Sequence, residues 1–308
     1  MALEDVDILA IGICTVDLIA TVPTFPQPDG RMDMRDFTQA VGGISAIASV
    51  TLARLGARTG FAGVVGDDAA GREIRATLDN EGVDTTLLST HAGLHTPTTV
   101  IISDARTGTR SILNHPGIVT FALPASHDVA AAVERAAYVH LDYTAFPALA
   151  DEILPRCRAV GTLVSLDAGV GFPGIERYLP LIDVYVTTDR QLTAMTGQRD
   201  LARGLAWVRA AGPRIVVATL GERGSVGLAG NNSVVMVPAF SVTVADTTGA
   251  GDVFHGAFLY ALLHKQEMAA ALTFANAAAA LSCRAVGGHP GCPTLVEVQA
   301  LCRDLLSA

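Results

Sequence analysis

Asp246-Thr-Thr-Gly-Ala-Gly-Asp252, which leads into the apolar run 253–263, is the stretch of sequence that decides the fold of this chain. The alternating run 239–245 before it is predicted as a strand, and the apolar run after it as a helix. Glycines at the turn let the backbone approach a ligand closely, and amide groups at a helix start can point at an anion. Asp252 stands just inside that positive end, where a carboxylate can take a proton. The stretch predicts an anion cradle with an embedded acid, which suits phosphoryl transfer to a hydroxyl group; a Gly-rich turn with a capping Asp is the alternative.

Apolar runs alternate with helical patterns along most of the chain. Near-continuous apolar strands are typical of a parallel sheet that is covered on both faces, and their alternation with helices predicts an α/β fold. We therefore expect a single domain over 1–308 with a mostly parallel central sheet flanked by helices. The predicted strands are 6–12, 59–65, 138–141, 162–166, 183–187 and 215–219, and the predicted helices are 44–55, 70–81, 125–136, 149–157, 189–196, 202–211 and 268–281.

Two regions, 15–40 and 98–114, break this rhythm. The first is rich in proline before an alternating segment, and the second has two alternating segments around a turn. Both are predicted as antiparallel strands outside the main sheet. Together they suit a small β-sheet lid that excludes water from the reaction. Two ordinary β-hairpins are the alternative.

Composition excludes several classes of function. The net charge is −9, from 30 acidic and 21 basic residues, which argues against a nucleic-acid partner. The five cysteines contain no Cys-x-x-Cys pair, so no zinc site or disulfide framework is expected and a reducing cytoplasm is favoured. The N-terminus has no apolar signal core and no apolar run reaches 18 residues, so we expect a cytoplasmic protein without a membrane partner.

The glycine-rich stretch and its small-residue helix resemble the C-terminal signature of the ribokinase, or pfkB-type, carbohydrate kinases. Gly42-Gly43 before the helix 44–55 resembles the N-terminal signature of the same family, and the resemblance extends over nearly the whole chain. It implies a three-layer ribokinase-like fold with a lid, which in this family often supports a homodimer. It also implies ATP-dependent phosphorylation of a hydroxyl group of a sugar or sugar-like molecule, with Mg²⁺.

The acceptor site is expected near the carboxyl end of the first strand, because ligands of parallel α/β sheets bind there. Asp17 follows that strand, and the resemblance implies that it binds sugar hydroxyls together with Gly42 and Gly43. The family usually has Asn four residues after the second Gly, and some members have Asn directly after the pair. This chain has Ile47 and Ile44 at those positions, which predicts a substrate that is less polar at that end.

Lid residues are the candidates to supply the missing polar contacts. Arg31, Asn114 and His115 are expected to reach a substrate from above, and the resemblance places Arg110 near the phosphates. Solvated surface side chains are the alternative interpretation of each.

The nucleotide site is implied by two further segments. Thr219-Leu-Gly221-Glu-Arg-Gly224 matches the family's Thr-x-Gly-x-x-Gly element along ATP, with a simple hairpin turn as the alternative. Asn276 lies in the small-residue helix that borders the adenine pocket in the family.

The catalytic group that the resemblance implies is Asp252 as the base, with the amides of Gly249, Ala250 and Gly251 as the anion hole. Asp142 and Asp167 each follow a predicted strand, and Asp167 is a candidate to orient a Mg²⁺-bound water, or else a solvated loop acid.

Metal binding is where the chain departs from the family. The usual Asn-x-x-Glu pair that organises Mg²⁺ is replaced by Thr188 and Gln191, with Asp189 as the nearest acid. Nucleotide phosphates can still hold Mg²⁺, which keeps several waters. Asp246 and Thr248, with the loop 285–291, resemble a monovalent cation site for K⁺.

Three other functions stay open. A nucleoside kinase of the same family is favoured by the apolar surface of Ile44 and Ile47. A sensor of sugar and nucleotide with weak catalysis is favoured by the missing Asn-x-x-Glu pair and opposed by the intact Asp252 stretch. A dinucleotide-binding oxidoreductase is disfavoured, because Gly-x-Gly-x-x-Gly is absent after the first strand.

Overall fold

The computed structural model describes residues 5–107, 109–115, 127–230 and 233–306. Thirteen strands within these residues form two sheets, one with nine strands and one with four. The strands are β1 (Ile8–Ile11), β2 (Thr15–Val22), β3 (Asp36–Gly42), β4 (Thr59–Gly66), β5 (Leu88–His91), β6 (Thr98–Asp104), β7 (Arg110–His115), β8 (Tyr138–Asp142), β9 (Leu163–Asp167), β10 (Val184–Thr188), β11 (Ile215–Thr219), β12 (Ser225–Ala229) and β13 (Ser233–Val237).

The nine-stranded sheet has the order β13-β12-β11-β10-β9-β8-β1-β4-β5. All neighbours from β11 to β5 are parallel, and β12 and β13 add an antiparallel edge. β1 lies between β8 and β4, and all four of its residues are buried. The predicted parallel sheet is therefore confirmed, and the carboxyl ends of β1, β8, β9 and β10 meet at one edge.

Helices cover both faces of this sheet. They are α1 (Ile44–Leu55), α2 (Ala69–Asn80), α3 (His127–Arg135), α4 (Phe146–Val160), α5 (Asp189–Thr196), α6 (Leu201–Ala210), α7 (Ala250–Leu263), α8 (Met268–Ser282), α9 (Gly288–Gly291) and α10 (Leu295–Leu306). One hydrophobic cluster joins α3, α4 and α6 to the sheet, and a second joins α1, α7 and α8 to it. This arrangement confirms the three-layer α/β fold. None of the described helices is long and apolar enough to cross a membrane.

The four-stranded sheet has the order β3-β2-β6-β7 and confirms the prediction of strands outside the main sheet. β2 pairs with β3, and β6 with β7, in the expected antiparallel manner. The two pairs are joined by parallel pairing of β2 with β6, which neither hairpin alone would predict. Ile19 on β2 lies against Gly287, because a Cβ on that glycine would be 3.1 Å from Ile19 Cδ1. That face of the small sheet, here called the inner face, is turned toward the main domain.

The predicted strand 239–245 is wrong. The strand in this region is β13, which ends at Val237, and residues 238–245 form no strand. Pro238 has no backbone N–H to donate to a strand neighbour, and the segment beyond it lines a cavity instead. The sequence patterns also missed β5, β12 and β13. Residues 125 and 126 of the predicted helix 125–136 lie outside the described residues.

Candidate active site

The glycine-rich stretch forms the N-terminus of α7. The helix begins at Ala250, and its N-cap Gly249 has a φ of 77°, which favours glycine. A Cβ on Gly249 would lie 2.7 Å from the Cα of Gly288, so the turn and the loop behind it pack backbone against backbone. The amide of Ala250 donates to Thr247 O at 3.3 Å. The amides of Gly251 and the next residue, in the first helical turn, have no acceptor within the helix.

Asp252 lies in this first turn and is half-buried. Burial raises the pKa of its carboxyl group well above the ordinary value, and the negative charges of Asp167, Asp142 and Asp17 raise it further. The positive charge of Arg110 acts in the opposite direction. A carboxylate with a raised pKa is a stronger base than a solvated one, and such groups are frequent in active sites.

A cavity of about 650 Å³ opens beside the start of α7. Its size is within the usual range for ligand sites. The predicted nucleotide residues Thr219, Gly221, Gly224 and Asn276 all line it, as does Arg110. Glu222, in the connection between β11 and β12, also lines it. The rest of the lining comes from the irregular segment after β13 and from α7 and the end of α8, namely Ala239, Phe240, Ser241, Val242, Val244, Thr247, Ala250, Gly251, Phe254, Ala279, Ala280 and Cys283.

Two of these residues shape the wall of the cavity. Gly224 has a φ of 96°, and a Cβ there would lie 2.1 Å from Val237 O, so the connection between β11 and β12 closes tightly on the segment after β13. The side-chain nitrogen of Asn276 donates to Val237 O and Pro238 O, at 3.1 Å each. Asn276 therefore holds the wall of the cavity in place through its amide nitrogen.

Asp17 belongs to β2 of the small sheet, inside the region 15–40 that was predicted outside the main sheet. It does not follow directly on β1, which ends at Ile11. Its side chain is 5% exposed and accepts a hydrogen bond from Thr15 Oγ1 at 2.7 Å. Burial raises the pKa of Asp17, which hydroxyl groups of Thr15 and Thr99 lower and the charge of Asp246 raises. A buried carboxylate on the inner face is suited to accept hydrogen bonds from the hydroxyl groups of a substrate.

The Gly42-Gly43 pair is required by close packing. A Cβ on Gly42 would lie 2.1 Å from Asp17 Oδ2, and one on Gly43, where φ is 97°, would lie 2.5 Å from Ile13 O. Glycine at these positions lets β3 and the start of α1 close on the strand that carries Asp17. The pair therefore positions that carboxyl, beside any contact of its own with a substrate.

Ile47 is placed differently from the prediction. It is 1% exposed, and its Cδ1 and Cγ2 lie 3.0 and 3.6 Å from where Cβ atoms on Gly288 and Gly249 would stand. Ile47 packs beneath the turn that begins α7, so its apolar side chain supports the turn that was predicted as an anion cradle. Ile44, at the first position of α1, is half-buried.

The lid residues fall on different surfaces. Asn114 pairs in register with Thr99, which itself pairs with Asp17, and Thr99 Oγ1 lies 3.4 Å from Asn114 Oδ1. These three residues share the inner face, whereas His115, the next residue, points to the opposite face because side chains alternate along a strand. Arg31 lies in the exposed connection between β2 and β3.

Asp142 is a structural centre and not an open acid. It is fully buried and accepts hydrogen bonds from Ile13 N at 2.7 Å, Ser45 Oγ at 2.8 Å, and the amides of Thr144 and Ala145 at 3.0 Å each. The Thr144 hydroxyl also donates to it. These bonds tie the ends of β1 and β8 to the start of α1.

Asp167 makes contacts on both carboxylate oxygens. Oδ1 accepts from Gly169 N at 2.9 Å, and Oδ2 lies 3.4 Å from His255 Nδ1. His255 is fully buried on α7, and its Nε2 lies 2.7 Å from Ser165 Oγ. Sequence analysis did not single out His255, although its place one helical turn after Asp252 was a usable signal.

Comparison with known proteins identifies the family of the chain. A model of the pfkB family carbohydrate kinases matches residues 5–295. The chain belongs to the pfkB family of carbohydrate kinases. Members of this family are phosphotransferases with an alcohol group as acceptor.

Relatives of this kinase include ribokinase of Bacillus subtilis, 29% identical over 298 residues, which cover 96% of this chain and 99% of the relative. A nucleoside kinase of Methanothermobacter thermautotrophicus is 27% identical over 305 residues, which cover 96% and 94%. The structure of Arabidopsis thaliana ribokinase complexed with ribose and ATP superposes with a TM-score of 0.87 at 25% identity, covering 97% of this chain and 99% of that one. The predicted ribokinase-like fold is confirmed.

The described part of this kinase contains no preformed cluster of metal ligands. No group of three or more His, Cys, Asp or Glu side chains suited to a metal ion occurs within the part of the chain that the structure describes. Thr188 caps α5 through a 3.1 Å bond from Gln191 N, and Asp189 is ion-paired with Arg223. The few side-chain oxygens near Thr188 and Asp189 therefore fit a divalent ion that takes most of its oxygen ligands from phosphates and water.

Asp246 links the two loops at the predicted monovalent site. Its Oδ1 accepts from the amide and hydroxyl of Thr248, at 3.1 and 3.0 Å, and its Oδ2 accepts from Gly287 N at 3.0 Å. The carboxylate thereby joins the turn before α7 to the loop before α9.

Proposed function

We propose that this kinase transfers the terminal phosphoryl group of ATP to a hydroxyl group of an uncharged sugar or sugar-like molecule. The observation that carries the proposal is the position of Asp252. Asp252 lies in the first turn of α7. Ala250 and Gly251, the two residues before it, line the cavity of about 650 Å³. The charge of Asp17, on the inner face of the small sheet, raises the pKa of Asp252. The structure of the ribokinase of Arabidopsis thaliana complexed with ribose and ATP supports the proposal that this kinase uses a sugar and ATP as its substrates.

The chemistry follows from this placement. Asp252 takes the proton of the acceptor hydroxyl. The hydroxyl oxygen then bonds to the terminal phosphorus of ATP, and the bond from that phosphorus to the leaving ADP oxygen breaks. Amides at the start of α7, those of Gly249, Ala250 and Gly251, stabilise the charge on the transferring group. The raised pKa of Asp252 favours proton uptake.

Mg²⁺ supplies neutralisation of the phosphate charge when it is bound. Asp167 is the acid of this chain that we assign to a water in that ion's shell, because Asp189 is already paired with Arg223. We assign the K⁺ site to Asp246, Thr248 and the loop 285–291, on the strength of the hydrogen bonds that join them.

The acceptor is uncharged because of what surrounds Asp17. The charge of another acid, Asp246, raises its pKa, and Asp17 in turn raises the pKa of a third acid, Asp252. An anionic acceptor would be repelled by these carboxylates. Asn114 and Thr99 offer neutral hydrogen-bonding groups on the same face.

We also assign a homodimer to the outer face of the small sheet. Phe37, Val100 and Leu113 lie on that face and are 53%, 39% and 53% exposed. Exposed apolar patches of this kind mark interaction surfaces. Sedimentation of the wild-type chain and of Leu113→Glu tests the assignment, since a dimer should become a monomer in the variant.

A nucleoside kinase is the second candidate. Ile112 lies between Arg110 and Asn114 on the inner face and is 50% exposed, which leaves apolar surface for a nucleobase. The nucleoside kinase of Methanothermobacter thermautotrophicus supports this alternative.

An ATP-consumption screen over ketoses, aldoses, sugar acids and nucleosides tests the proposal. We expect turnover with a neutral sugar and none with sugar acids. Turnover with nucleosides alone would favour the second candidate. ATP binding without turnover of any acceptor would contradict the proposal and favour a sensor.

A further inference from the structure

We propose that His255 is a positioning residue, which holds the carboxylate of Asp167 beside Asp252 through a chain of contacts from Ser165 to His255 to Asp167. This inference rests on the proposed function, because it gives His255 a part in that reaction. The role lies in the buried interface between α7 and the central sheet.

The first step is the position of His255 on α7. It comes three residues after Asp252, and side chains with that spacing are neighbours on one side of a helix. The imidazole is fully buried. Asp252 and His255 are therefore fixed to one another by a single rigid turn of helix.

The second step is the contact with β9. Side chains two residues apart on a strand point to the same face, so Ser165 and Asp167 both point toward α7. Ser165 Oγ lies 2.7 Å from His255 Nε2, and Asp167 Oδ2 lies 3.4 Å from His255 Nδ1. One imidazole thus contacts two successive same-face residues at the carboxyl end of β9.

The third step is the tautomer that these contacts select. A neutral imidazole has one N–H donor and one acceptor nitrogen. The Asp167 carboxylate can only accept, which requires the proton on Nδ1, and the Ser165 hydroxyl then donates to Nε2. At 3.4 Å, the contact at Nδ1 is not a well-aligned hydrogen bond. Catalytic hydrogen bonds are often long in free enzymes and tighten when substrates bind.

The fourth step connects Asp167 to the reaction. Its Oδ1 is bound by Gly169 N at 2.9 Å, so Oδ2 is the oxygen whose direction His255 sets. Among the charges that act on Asp252, that of Asp167 has the largest effect. If the Asp167 carboxylate rotated away from His255, the electrostatic potential at Asp252 would change.

His140 provides a matched control. Its ring lies 4.5 Å from that of His255 in an edge-on arrangement and is also fully buried. Neither of its nitrogens has a hydrogen-bond partner within the described residues. His140 therefore shares the packing of His255 without contacting Asp167.

Steady-state kinetics on purified full-length variants test the role. We expect His255→Phe to lower kcat by about 10- to 100-fold while the KM for ATP and for the acceptor changes by less than about twofold. His255→Gln, which keeps a donor and an acceptor, should recover most of kcat. His140→Phe should leave kcat within about twofold of wild type, whatever its effect on thermal stability.

A double-variant cycle measures the coupling. His255→Phe combined with Asp167→Asn should lower kcat no further than the more damaging single variant, since residues acting as a unit are not additive. The proposal would be overturned if the loss of kcat in the double variant equalled the product of the two single losses. Equal loss of kcat in the His255→Phe and His140→Phe variants would also overturn it.

Nitrogen NMR of the histidines gives a readout that needs no turnover. We expect His255 to carry its proton on Nδ1, and its resonances to shift in Asp167→Asn. A proton on Nε2, or resonances unchanged by Asp167→Asn, would overturn the role of His255. Failure of the wild type to phosphorylate any acceptor would instead contradict the proposed function, while leaving this NMR result to decide the contact.

Discussion

Arg110 of β7 donates a hydrogen bond to the hydroxyl of Thr247, two residues before the N-cap of α7. The small sheet therefore contacts the turn that carries the anion cradle. The same guanidinium lowers the pKa of Asp252, against the rise caused by burial and neighbouring acids. A residue of the small sheet thus acts on both the turn before α7 and Asp252.

Replacement of Arg110 by Gln should impair the closed, charged site. We expect kcat/KM for ATP to fall by about 10- to 100-fold, because the variant loses the bond to Thr247 and a positive charge beside the phosphates. The pKa of Asp252 should rise. Since the base must be ionised, the acidic limb of the kcat/KM profile should move to higher pH.

Arg106→Gln is the control for this variant. Arg106 lies in the turn between β6 and β7 and is 4.0 Å from Asp104. The Arg106→Gln variant removes one positive charge of the small sheet from a side chain that does not contact the turn before α7, so activity should be unchanged. An equal loss in both variants would indicate general damage to the lid.

Replacement of Asp252 by Asn should remove the base and keep the shape of the site. We expect kcat to fall by about 10²–10⁴-fold with ATP affinity retained, as measured by steady-state kinetics and calorimetric titration. Asp200→Asn, at the N-cap of α6, is a control acid at another helix start. Undiminished turnover of the Asp252 variant would contradict its assignment as the base.

The sequence could predict elements whose ends are marked locally. α1 and α5 occupy the predicted residues 44–55 and 189–196, and each is followed by a glycine in the left-handed conformation, Gly56 and Gly197. Such C-caps are local signals. The segment 239–245 shows the opposite case, because its alternating pattern comes from residues that line the cavity and not from a strand.

Long-range contacts explain what the sequence could not predict at the site. The contact between Ser165 and His255 joins residues 90 positions apart, and no spacing pattern encodes it. Asp17 lies in the region 15–40 that was predicted outside the main sheet, but only the structure shows that β2 pairs in parallel with β6, which sets Asp17 beside Thr99. Periodicity indicates that a segment is a strand and does not indicate which strand it pairs with.

Replacement of Gly249 by Ala should damage both stability and catalysis. The positive φ alone costs about 1 kcal/mol for a residue with a side chain, and the new Cβ would also lie 2.7 Å from Gly288 Cα. We expect a lower melting temperature and a loss of most activity, since the cradle must move away from the loop 285–291.

Gly82→Ala separates these two causes. Gly82 has a φ of 78°, almost the same as Gly249, but a Cβ there would have no neighbour within 4 Å. It should lower the melting temperature modestly and leave kcat unchanged. If Gly249→Ala matched it in both measurements, close packing against Gly288 would not matter for the site.

Glu81 at the end of α2 should make stability depend on pH. Arg54 Nε and His289 Nε2 lie 2.7 and 2.8 Å from its carboxylate oxygens. The bond with Arg54, and then that with His289, lowers the pKa of Glu81 from 4.5 to about 2. Because the folded-state pKa is depressed, the stabilisation is present above about pH 4.5 and is lost as pH falls toward 2.

Chemical denaturation of wild type and Glu81→Gln at several pH values tests this dependence. We expect the variant to lose about 2–3 kcal/mol of unfolding free energy at pH 7 and the difference to shrink toward zero near pH 2. Glu73→Gln, on the same helix but bonded only to Gln39 within the described residues, should track wild type. Because His289 belongs to α9, whose first residue Gly288 lies against Gly249, Glu81→Gln should also reduce kcat at neutral pH. A constant difference at all pH values would show that the loss comes from packing and not from the charge of Glu81.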